Sequence, residues 1–567
     1  MPNELFSVNE NQRFPRPNEG QDPTPANSAA IFELLCEQSG FQPVHLPTMT
    51  PVERFRSVLS NQNLLPDGPR FVDPTGLNWA LRCDMTLFLT QCICQNQTDL
   101  QFPLKIFYAG KTFSYGEPKS HHYKSHSTND PNWEKFEFGV ESVGDGSWHS
   151  NMEMIALAIK LVKGFGFNHA RLAFGDSRIL TRLLQIVANH PTQLRTHMTL
   201  DLRKAFELRD LRLLGRLFVE DPLLEIVFWD SYRDAVSNFE RVVRAHLPEA
   251  SSGDLPTAPQ TFTWSWNFDP FLVRKKDYYS GFTFEIYGSF PQGQRVPFHL
   301  GGGGRYDTLY SHFGVDREAV GFMLKDPSEG LSHLQKPTPF RIALPKGRIM
   351  GLALDLFQKV GIVPATNLST TRKLVIPSQC GRFEFLIVKN ADVGSYLEKE
   401  MTAMAIVGSD TLNESQSAVF RPVTFSKGSC RICLAGKPQG QATLKSNRKP
   451  VIATKYVQSA KELLDKSQLV SAHYELLPLQ GSVELASVVE IADAILDLVE
   501  TGNTLRENDL EIYENLGVTC IHLALTPGFY YLLGNTLNEW IQVWHQQGDL
   551  MDHMPQSIPL HASATLL

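Results

Sequence analysis

The chain has 567 residues, which is too long for one ordinary domain and indicates about three to four. Its 53 basic and 60 acidic side chains give a net charge of −7, so the charge balance does not favour a protein that coats DNA or RNA. Because no apolar run reaches the roughly 18 residues needed to span a bilayer and Met1–Gly20 contain no signal-peptide core, we expect a cytoplasmic protein without nucleic-acid or membrane partners.

The first half has the pattern of an α+β fold. Residues 1–27 are rich in Asn, Pro and Gln and are predicted to form a flexible arm. A helix is predicted from Ser28 to a capping glycine, Gly40. A second helix over 151–163 is predicted to end at Gly164. Strand-like stretches lie between these helices, mostly helical segments follow, and strands then return. This order predicts an antiparallel sheet with a helical insertion.

A proline-rich linker at 326–340 separates this region from a second one with a different pattern of predicted secondary structure. Beyond it, short apolar strands such as Phe383–Val388 and Ala494–Val499 alternate with helices. The alternation predicts a mainly parallel α/β region over 341–550, followed by a loose tail at 551–567. Ligands bind such sheets at the carboxyl ends of strands and at helix N-termini.

The most informative stretch is ADAILDLVETGNTL, residues 492–505. A predicted strand carries two carboxylates four residues apart, Asp493 and Asp497, which are expected on one face and can accept hydrogen bonds from two ribose hydroxyls. The glycine of the following turn permits close backbone approach, and its N–H groups and two Thr hydroxyls can surround a phosphate. A solvated turn with a Thr cap is the alternative from composition alone. The residues of this turn are Glu500, Thr501, Gly502, Asn503, Thr504 and Leu505.

This stretch also carries a family resemblance. GSVELASVVEIADAILDLVETGNTLREN (481–508) resembles the phosphoribosyl-diphosphate signature of ATP phosphoribosyltransferase, the first enzyme of histidine biosynthesis. RIALPKGRI (341–349) resembles the family's opening strand and loop, and VIATKY (451–456) its central substrate strand. The resemblance implies a two-lobed, periplasmic-binding-protein-like catalytic region. It also implies a reaction that joins ATP to phosphoribosyl diphosphate and releases diphosphate, with Mg²⁺ carried by the substrate diphosphate rather than by protein ligands.

The resemblance further implies roles for single residues. Asp493, Asp497 and 500–505 would hold phosphoribosyl diphosphate, and no nucleophile is needed, because positioning and stabilisation of the departing diphosphate suffice. Two departures from the family pattern, Lys389 in place of Arg and an altered turn at 400–405, keep open a non-catalytic sensor of phosphoribosyl or nucleotide ligands. Ordinary strand-end or helix-start charges are the alternative for the remaining residues. The residues implied to bind ATP or diphosphate are Lys346, Gly347, Arg348, Lys455 and Glu484.

Six segments of the first half carry a second resemblance. They are LRCDMT (81–86), KIFYAGKTFSYGEP (105–118), FEFGVE (136–141), LVRKKDYYSGFTFEIY (272–287), GGGGRYDTLY (301–310) and AVGFML (319–324). In this order they resemble histidyl-tRNA synthetase and the regulatory paralogue of that enzyme. The resemblance implies a class II synthetase-like regulatory domain over 28–325, fused to a short-form transferase that has no histidine-sensing domain of its own.

The departures in this half favour sensing over tRNA charging. Ser114 and Ser328 stand where the synthetase has arginines that grip ATP, so adenylation of histidine is not expected. Glu137 replaces the usual Gln of the amino-acid pocket, which changes the pocket's charge. Core packing of the tyrosines and a surface ion pair of Arg274 are the structural alternatives. The residues implied to bind histidine are Asp84, Thr86, Glu141, Arg274, Tyr279 and Tyr306.

Together the two resemblances predict a fused enzyme in which the first half senses histidine as an effector. A residual histidyl-tRNA synthetase is a weaker alternative. Separate short-form subunits form hetero-octamers in the family, so a fused chain is expected to form a homo-oligomer, with a tetramer favoured. Zinc binding by His121, His122 and His126 is not expected. The eight cysteines are expected to be reduced, with Cys430 and Cys433 in the core.

Overall fold

The structure is a computed structural model that describes residues 25–58, 68–113, 134–246, 262–273, 278–289, 297–327, 339–366, 368, 373–444, 449–465, 467–470, 473–554 and 561–562. Residues 25–27 of the predicted arm are helical, whereas residues 1–24 and most of the predicted linker lie outside the described residues. So do Ser114, Ser328 and Arg274, together with the histidines at 121, 122 and 126.

Within the described residues, the first half is built on a nine-stranded sheet. Its strands are β1 (Gln42–Pro43), β5 (Leu104–Phe113), β6 (Glu134–Val143), β7 (His169–Asp176), β8 (Thr263–Phe268), β9 (Phe282–Ser289), β10 (Phe298–Arg305), β11 (Ala319–Lys325) and β21 (His561–Ala562). They lie in the order β1-β5-β6-β11-β10-β9-β7-β8-β21. Among these described strands, β1 with β5 and β7 with β8 are the parallel pairs, so the predicted antiparallel character is confirmed. A small sheet orders β2 (Met49–Pro51), β4 (Asn78–Leu81) and β3 (Arg70–Val72).

Helices flank this sheet, and four of them, α4 to α7, form the predicted insertion between β7 and β8. The helices of this half are α1 (Pro25–Gln38), α2 (Met85–Gln95), α3 (Trp148–Gly164), α4 (Arg178–Val187), α5 (Thr192–Leu208), α6 (Leu211–Glu220), α7 (Pro222–His246) and α8 (Asp307–His312).

The glycine that ends α3 differs from the prediction. Gly164 is the last helical residue, and a Cβ built there would lie 2.6 Å from Leu35 Cδ1, so this glycine permits close packing of α1 on α3. The left-handed backbone that reverses the chain belongs to Gly166, with φ +88°. Gly164 and Gly166 are only two residues apart, and the packing and backbone of the structure distinguish which one permits the helix contact and which one ends the helix.

The second half contains a mixed sheet of nine strands in the described residues. The strands are β12 (Phe340–Pro345), β13 (Val375–Pro377), β14 (Phe383–Val388), β15 (Met404–Gly408), β16 (Phe420–Gly436), β17 (Val451–Thr454), β18 (Glu475–Pro478), β19 (Ala494–Val499) and β20 (Glu511–Leu525). They lie in the order β13-β14-β12-β15-β20-β16-β19-β17-β18. The helices are α9 (Arg348–Lys359), α10 (Val393–Glu398), α11 (Ser409–Glu414), α12 (Gly440–Leu444), α13 (Val457–Leu464), α14 (Glu484–Val488), α15 (Asn503–Glu507), α16 (Pro527–Leu533) and α17 (Asn535–Gln546).

The two lobes of this half share two long antiparallel strands. β12 pairs in parallel with β14 and β15 in the first lobe, and β17 pairs in parallel with β18 and β19 in the second. The 17-residue β16 and the 15-residue β20 pair antiparallel and belong to both lobes. The parallel prediction therefore holds for β14-β12-β15 and for β19-β17-β18, whereas β13 pairs antiparallel with β14 and the sheet as a whole is mixed. A register shift between Phe425 and Cys430 interrupts the apolar pattern of β16, so the sequence indicated only part of this strand.

The two halves contact each other through a buried polar network. Arg209 of the first half pairs with Asp269 at 3.0 Å, and Tyr531 of the second half donates a hydrogen bond to Asp269 at 2.8 Å. Arg171, fully buried, donates to the Tyr531 carbonyl oxygen at 3.0 Å. The backbone of β21 also pairs with β8, so part of the segment predicted as a loose tail is strand. These contacts fix the junction by which one half can influence the other.

Two global expectations bear on the class of protein. No helix in the part of the chain that the structure describes is long and apolar enough to cross a membrane. All eight cysteines are described, and each is a free thiol.

Candidate functional site

A cavity of about 1120 Å³, here called the junction cavity, lies between the first sheet and the second half. Its inner end holds five predicted residues, namely Asp84, Thr86, Glu141, Tyr279 and Tyr306. Its outer wall is made by Glu398–Met401 of the second half. The sixth predicted residue, Arg274, lies outside the described residues. The structure therefore brings together the described part of the set that the sequence predicted.

Glu141 forms the floor of the inner end. Its buried carboxylate accepts hydrogen bonds from Thr86 Oγ1 at 2.9 Å, Tyr108 OH at 2.8 Å and Tyr306 OH at 2.7 Å. Gly321 pairs with Glu141 across the strands, and a Cβ at Gly321 would lie 1.5 Å from the carboxylate, so only glycine leaves room for it. Burial raises the pKa of Glu141 to about 7, although the three hydroxyl donors oppose the shift. A bound cation would stabilise the ionised form.

Two more carboxylates face the same cavity. Asp84 caps α2 by accepting from Leu87 N at 2.9 Å, and Tyr278 OH lies 3.4 Å from its other oxygen. Glu137 lies four residues before Glu141 on β6 and therefore on the same face. Burial, together with the nearby Asp84, raises the pKa of Glu137 to about 7. Three carboxylates at one end of a cavity favour a ligand with positively charged groups there.

The sequence did not identify two tyrosines of this site. Tyr108 contacts Glu141 directly, and Tyr278 contacts Asp84. The signal for Tyr108 is Gly139 on the paired strand, where a Cβ would lie 2.1 Å from the tyrosine ring. A glycine in a central strand often marks such a close approach.

The second site is a pocket of about 280 Å³, here called the phosphate pocket, at the carboxyl end of β19. Most predicted phosphoribosyl-diphosphate residues line it, together with two of the predicted ATP or diphosphate residues. These residues are Asp497, Glu500, Thr501, Gly502, Asn503, Thr504, Leu505, Arg348 and Glu484.

The polar turn has the backbone that the sequence predicted. Gly502 has φ +75°, and a Cβ there would meet only Val499 at 3.7 Å, so the space beside this glycine is open. Asn503 N donates to Thr501 Oγ1 at 3.4 Å. Arg506, which the sequence analysis missed, donates to Thr501 O at 3.4 Å and contacts the Asn503 amide oxygen. The turn therefore combines exposed N–H groups with an adjacent cation, which suits an anion.

Arg348 is a residue of the first lobe that lines this pocket of the second lobe. It follows Gly347, which has φ +98°, and begins α9. Its guanidinium contacts the Glu500 carboxylate and donates to Cys430 Sγ at 3.0 Å. Cys430 and Cys433 are buried, as expected, and they also line the pocket, which the sequence did not predict. One cation thus spans the crevice between the lobes.

The charge of Lys455 acts on two buried carboxylates near the crevice. Burial raises the pKa of Asp497 to about 6, Glu484 adds to the shift, and Lys455 opposes it. Lys455 follows β17 and also acts on the buried carboxylate of Asp410 from the first lobe. Because burial raises the pKa of Asp410 as well, a cation whose charge acts on both acids stabilises their ionised forms.

Four predicted residues do not line the phosphate pocket, namely Asp493, Lys346, Gly347 and Lys455. Asp493 precedes β19 rather than lying on it, and its carboxylate accepts from Val451 N at 2.9 Å, so it does not share a face with Asp497. The strand begins one residue later than the sequence pattern indicated. The side chain of Lys346 is exposed, and its backbone N–H donates a hydrogen bond to Val388 O at 2.9 Å. Among the described residues, no group of three His, Cys, Asp or Glu side chains is placed to hold a metal ion.

Comparison with known proteins finds relatives of both halves. Residues 28–326 match the family described as histidyl-tRNA synthetase, and residues 389–538 match the family described as ATP phosphoribosyltransferase. The ATP phosphoribosyltransferase of Caldicellulosiruptor saccharolyticus is 39% identical over 175 residues, which are 31% of this chain and 83% of that protein. That of Brachyspira hyodysenteriae is 37% identical over 175 residues, which are 31% of this chain and 82% of that protein. A solved ATP phosphoribosyl transferase complex from Thermotoga maritima aligns at 25% identity with a TM-score of 0.32, over 36% of this chain and 97% of that chain.

Proposed function

The chain belongs to the ATP phosphoribosyltransferase family through its second half and to the histidyl-tRNA synthetase family through its first, and on this premise we propose how the two parts act together. The second half catalyses the first step of histidine biosynthesis, in which ATP and phosphoribosyl diphosphate form phosphoribosyl-ATP and diphosphate. The first half is a synthetase-like regulatory region fused to it. The boundary between them within residues 326–340 is part of the proposal.

The contact of Arg348 with the phosphate turn carries the proposed assignment of the site. Its guanidinium reaches from the first lobe to Glu500 of the second, so the two lobes enclose one crevice for two substrates. In the substrate complex, the turn at 501–504 holds the 5-phosphate, and Asp497 accepts hydrogen bonds from ribose hydroxyls. Arg348 then exchanges Glu500 for oxygens of the departing diphosphate, whose developing charge it stabilises. No side chain forms a covalent bond in this scheme.

Lys455 completes the charge arrangement. Its positive charge acts on Asp410 of the first lobe and on Asp497 of the second, and it opposes the rise that burial causes in the pKa of each carboxylate. We propose that Mg²⁺ enters on the substrate diphosphate, where it neutralises phosphate charge. Asp497 and Glu484 offer the carboxylate oxygens that Mg²⁺ prefers in the pocket.

Diphosphate release from ATP and phosphoribosyl diphosphate by the purified full-length chain tests this assignment. Arg348→Gln is expected to lower kcat by about 100- to 1000-fold, the usual loss when one preorganised donor to a transition-state anion is removed. Arg382→Gln, at an exposed arginine of the same half, is the matched control and is expected to retain activity. Binding of phosphoribosyl diphosphate without any turnover by the wild type would favour the non-catalytic sensor instead.

We further propose that histidine binds the inner end of the junction cavity. Asp84, Glu137 and Glu141 supply negative charge for its amino group and imidazole, and Tyr279 and Tyr306 supply aromatic walls with hydroxyl groups. The pocket is already hydrogen-bonded around Glu141, so little reorganisation is needed on binding. Histidine bound there is expected to inhibit the transferase.

We expect no adenylation of histidine and no charging of tRNA. Ser114 and Ser328 supply no positive charge for an ATP phosphate at the two positions where the synthetase has arginine. The assay is histidine-dependent exchange of labelled diphosphate into ATP, with phosphoribosyl diphosphate omitted. Clear exchange would favour a residual synthetase.

The assembly and location are also proposals. We propose a homo-oligomer, with a tetramer favoured, in the cytoplasm. Leu485, Val489 and Ile491 support association, since they are 55%, 60% and 56% exposed on one short segment. Light scattering would then give four times the chain mass of 63.8 kDa. The eight free thiols support a reducing compartment.

A further inference from the structure

The outer wall of the junction cavity belongs to the transferase. Residues 398–401 connect α10 to β15 and line the same cavity as Glu141. Glu400 has φ +54°, a left-handed backbone that a non-glycine residue adopts only when its surroundings hold it. Met401 N donates to Tyr396 O at 2.9 Å, which fixes the turn to its own helix. The cavity that contains Glu141 is therefore lined in part by a constrained element of the catalytic half.

Lys325 interacts electrostatically with one carboxylate of each half. It is the last residue of β11 and pairs in register with Glu137 on β6. Its positive charge acts on Glu137 and also on Glu400. Its Nζ lies 3.2 Å from His299 Nδ1, and the other ring nitrogen of His299 contacts Glu285. The charges around Lys325 are therefore Glu137 of the first sheet, Glu400 of the transferase half, and the His299–Glu285 pair, and all of them line the junction cavity.

We propose that Lys325 relays occupancy of the junction cavity to the transferase by shifting its charge interaction from Glu137 to Glu400. This inference rests on the proposed binding of histidine. A positively charged group of the ligand competes with Lys325 for Glu137, because both are cations that stabilise the same carboxylate. Lys325 is then left to interact with Glu400, and the turn at 398–401 is held in the position that lowers turnover.

The strand after this turn leads to the catalytic crevice. Ala403 N donates to Arg341 O at 2.7 Å, and β15 then pairs with β12. β12 ends immediately before Lys346 and Arg348, while β15 ends immediately before α11, which carries Asp410. Fixing the turn is therefore expected to shift β12 and β15, the two strands that position the charges of the first lobe beside the substrate crevice. Packed strands move as units, so a small shift at the turn is transmitted rather than absorbed.

The test compares Lys325→Gln with a matched control, Lys111→Gln. Lys111 is an exposed lysine of the same sheet, paired with Glu134 at 2.6 Å on β6, and it does not line the junction cavity. For each full-length protein, calorimetry gives the histidine Kd with and without phosphoribosyl diphosphate, and diphosphate release gives the inhibition constant. The wild type and Lys111→Gln are expected to show a coupling of about 5- to 150-fold. Lys325→Gln is expected to bind histidine within a few-fold of wild type, retain basal turnover, and lose most of that coupling.

Glu400→Gln is the second variant and is expected to reproduce the loss of coupling. Lys325→Arg, which keeps a positive charge that both Glu137 and Glu400 attract, is expected to retain most of the coupling. A merely structural role of Lys325 would change basal turnover or melting temperature in Lys325→Gln without this dependence of the coupling on charge. Undiminished inhibition of Lys325→Gln by histidine, with wild-type binding intact, would overturn the relay alone. Failure of the wild type to bind histidine would overturn the sensing function and the relay together, and the binding measurement separates these cases.

Discussion

The junction cavity and the phosphate pocket are built in opposite ways. Around Glu141 of β6, side chains of β5, of α2 and of the residue before α8 are already joined to its carboxylate by hydrogen bonds of 2.7 to 2.9 Å. In the phosphate pocket, Thr501, Asn503 and Thr504 are exposed, and the pocket depends on the backbone of one turn and on Arg348 from the other lobe.

This difference in construction fits the two proposed functions, sensing of a small ligand and catalysis with two large substrates. A preformed, buried site binds a small ligand with little loss of conformational entropy, which suits a sensor. An open site between two lobes can admit two large anionic substrates and enclose them only when both are present. The sensor site therefore depends on side-chain charge, and the catalytic site on backbone geometry. Substitutions at the two sites should consequently have distinct effects.

The largest expected effect comes from the backbone of the phosphate turn. Gly502→Val places a branched residue at φ +75° and fills the open space where the phosphate is expected. We expect kcat/KM for phosphoribosyl diphosphate to fall by about 100-fold. Gly517→Ala is the control, because a Cβ there meets only Leu463 at an ordinary 3.7 Å. Initial rates and a melting curve check this, and unchanged kinetics with normal folding would remove the phosphate from this turn.

The next effect concerns charge in the junction cavity. Glu141→Gln keeps the shape of the side chain and removes its charge, so we expect histidine affinity to fall by about 10- to 100-fold. Turnover without histidine is expected to stay near wild type, because Glu141 lies in the first half. The melting temperature is expected to change little. Titration calorimetry measures the affinity, and equal binding by both proteins would show that this carboxylate does not contact the ligand.

A smaller effect is a pH dependence confined to the catalytic site. The pKa of Asp497 is raised to about 6, so its carboxylate is ionised above that pH and becomes protonated as the pH falls. Only the ionised form accepts hydrogen bonds from both ribose hydroxyls. We therefore expect KM for phosphoribosyl diphosphate to rise about tenfold from pH 7.5 to pH 5. Asp497→Asn should remove the part of this pH dependence of KM that comes from Asp497 and leave the part that comes from titration of the substrate. Identical pH profiles of KM for the wild type and the variant would contradict the assignment.

The sequence predicted the phosphate turn more fully than it predicted its surroundings. The turn is local, so Gly502 and its neighbours could be identified from adjacent residues alone. Arg348 was predicted through its motif, but its contacts with Glu500 and Cys430 depend on pairing of distant strands. Asp493 differs from its expected position because the start of a short strand cannot be set to one residue from an apolar pattern.

The same contrast holds for the fold. Short strands such as β14 and β19 could be predicted from apolar runs, because only one acidic residue interrupts each of them. The long strands β16 and β20 have exposed polar stretches and register shifts, so their full extent could not be predicted from the sequence. Junction contacts such as Arg209 with Asp269 and Tyr531 join residues far apart in the chain and have no local signal.

The central claim is that one chain carries both a transferase and a cavity that regulates it. The most direct measurement is diphosphate release from ATP and phosphoribosyl diphosphate by the full-length wild type and by Glu141→Gln, each titrated with histidine. We expect the wild type to be inhibited, and the curve of the variant to shift to about 10- to 100-fold higher histidine with the same uninhibited rate. Equal inhibition of both proteins would place the effector site elsewhere, and a wild type that histidine does not inhibit would contradict the coupling of the two halves.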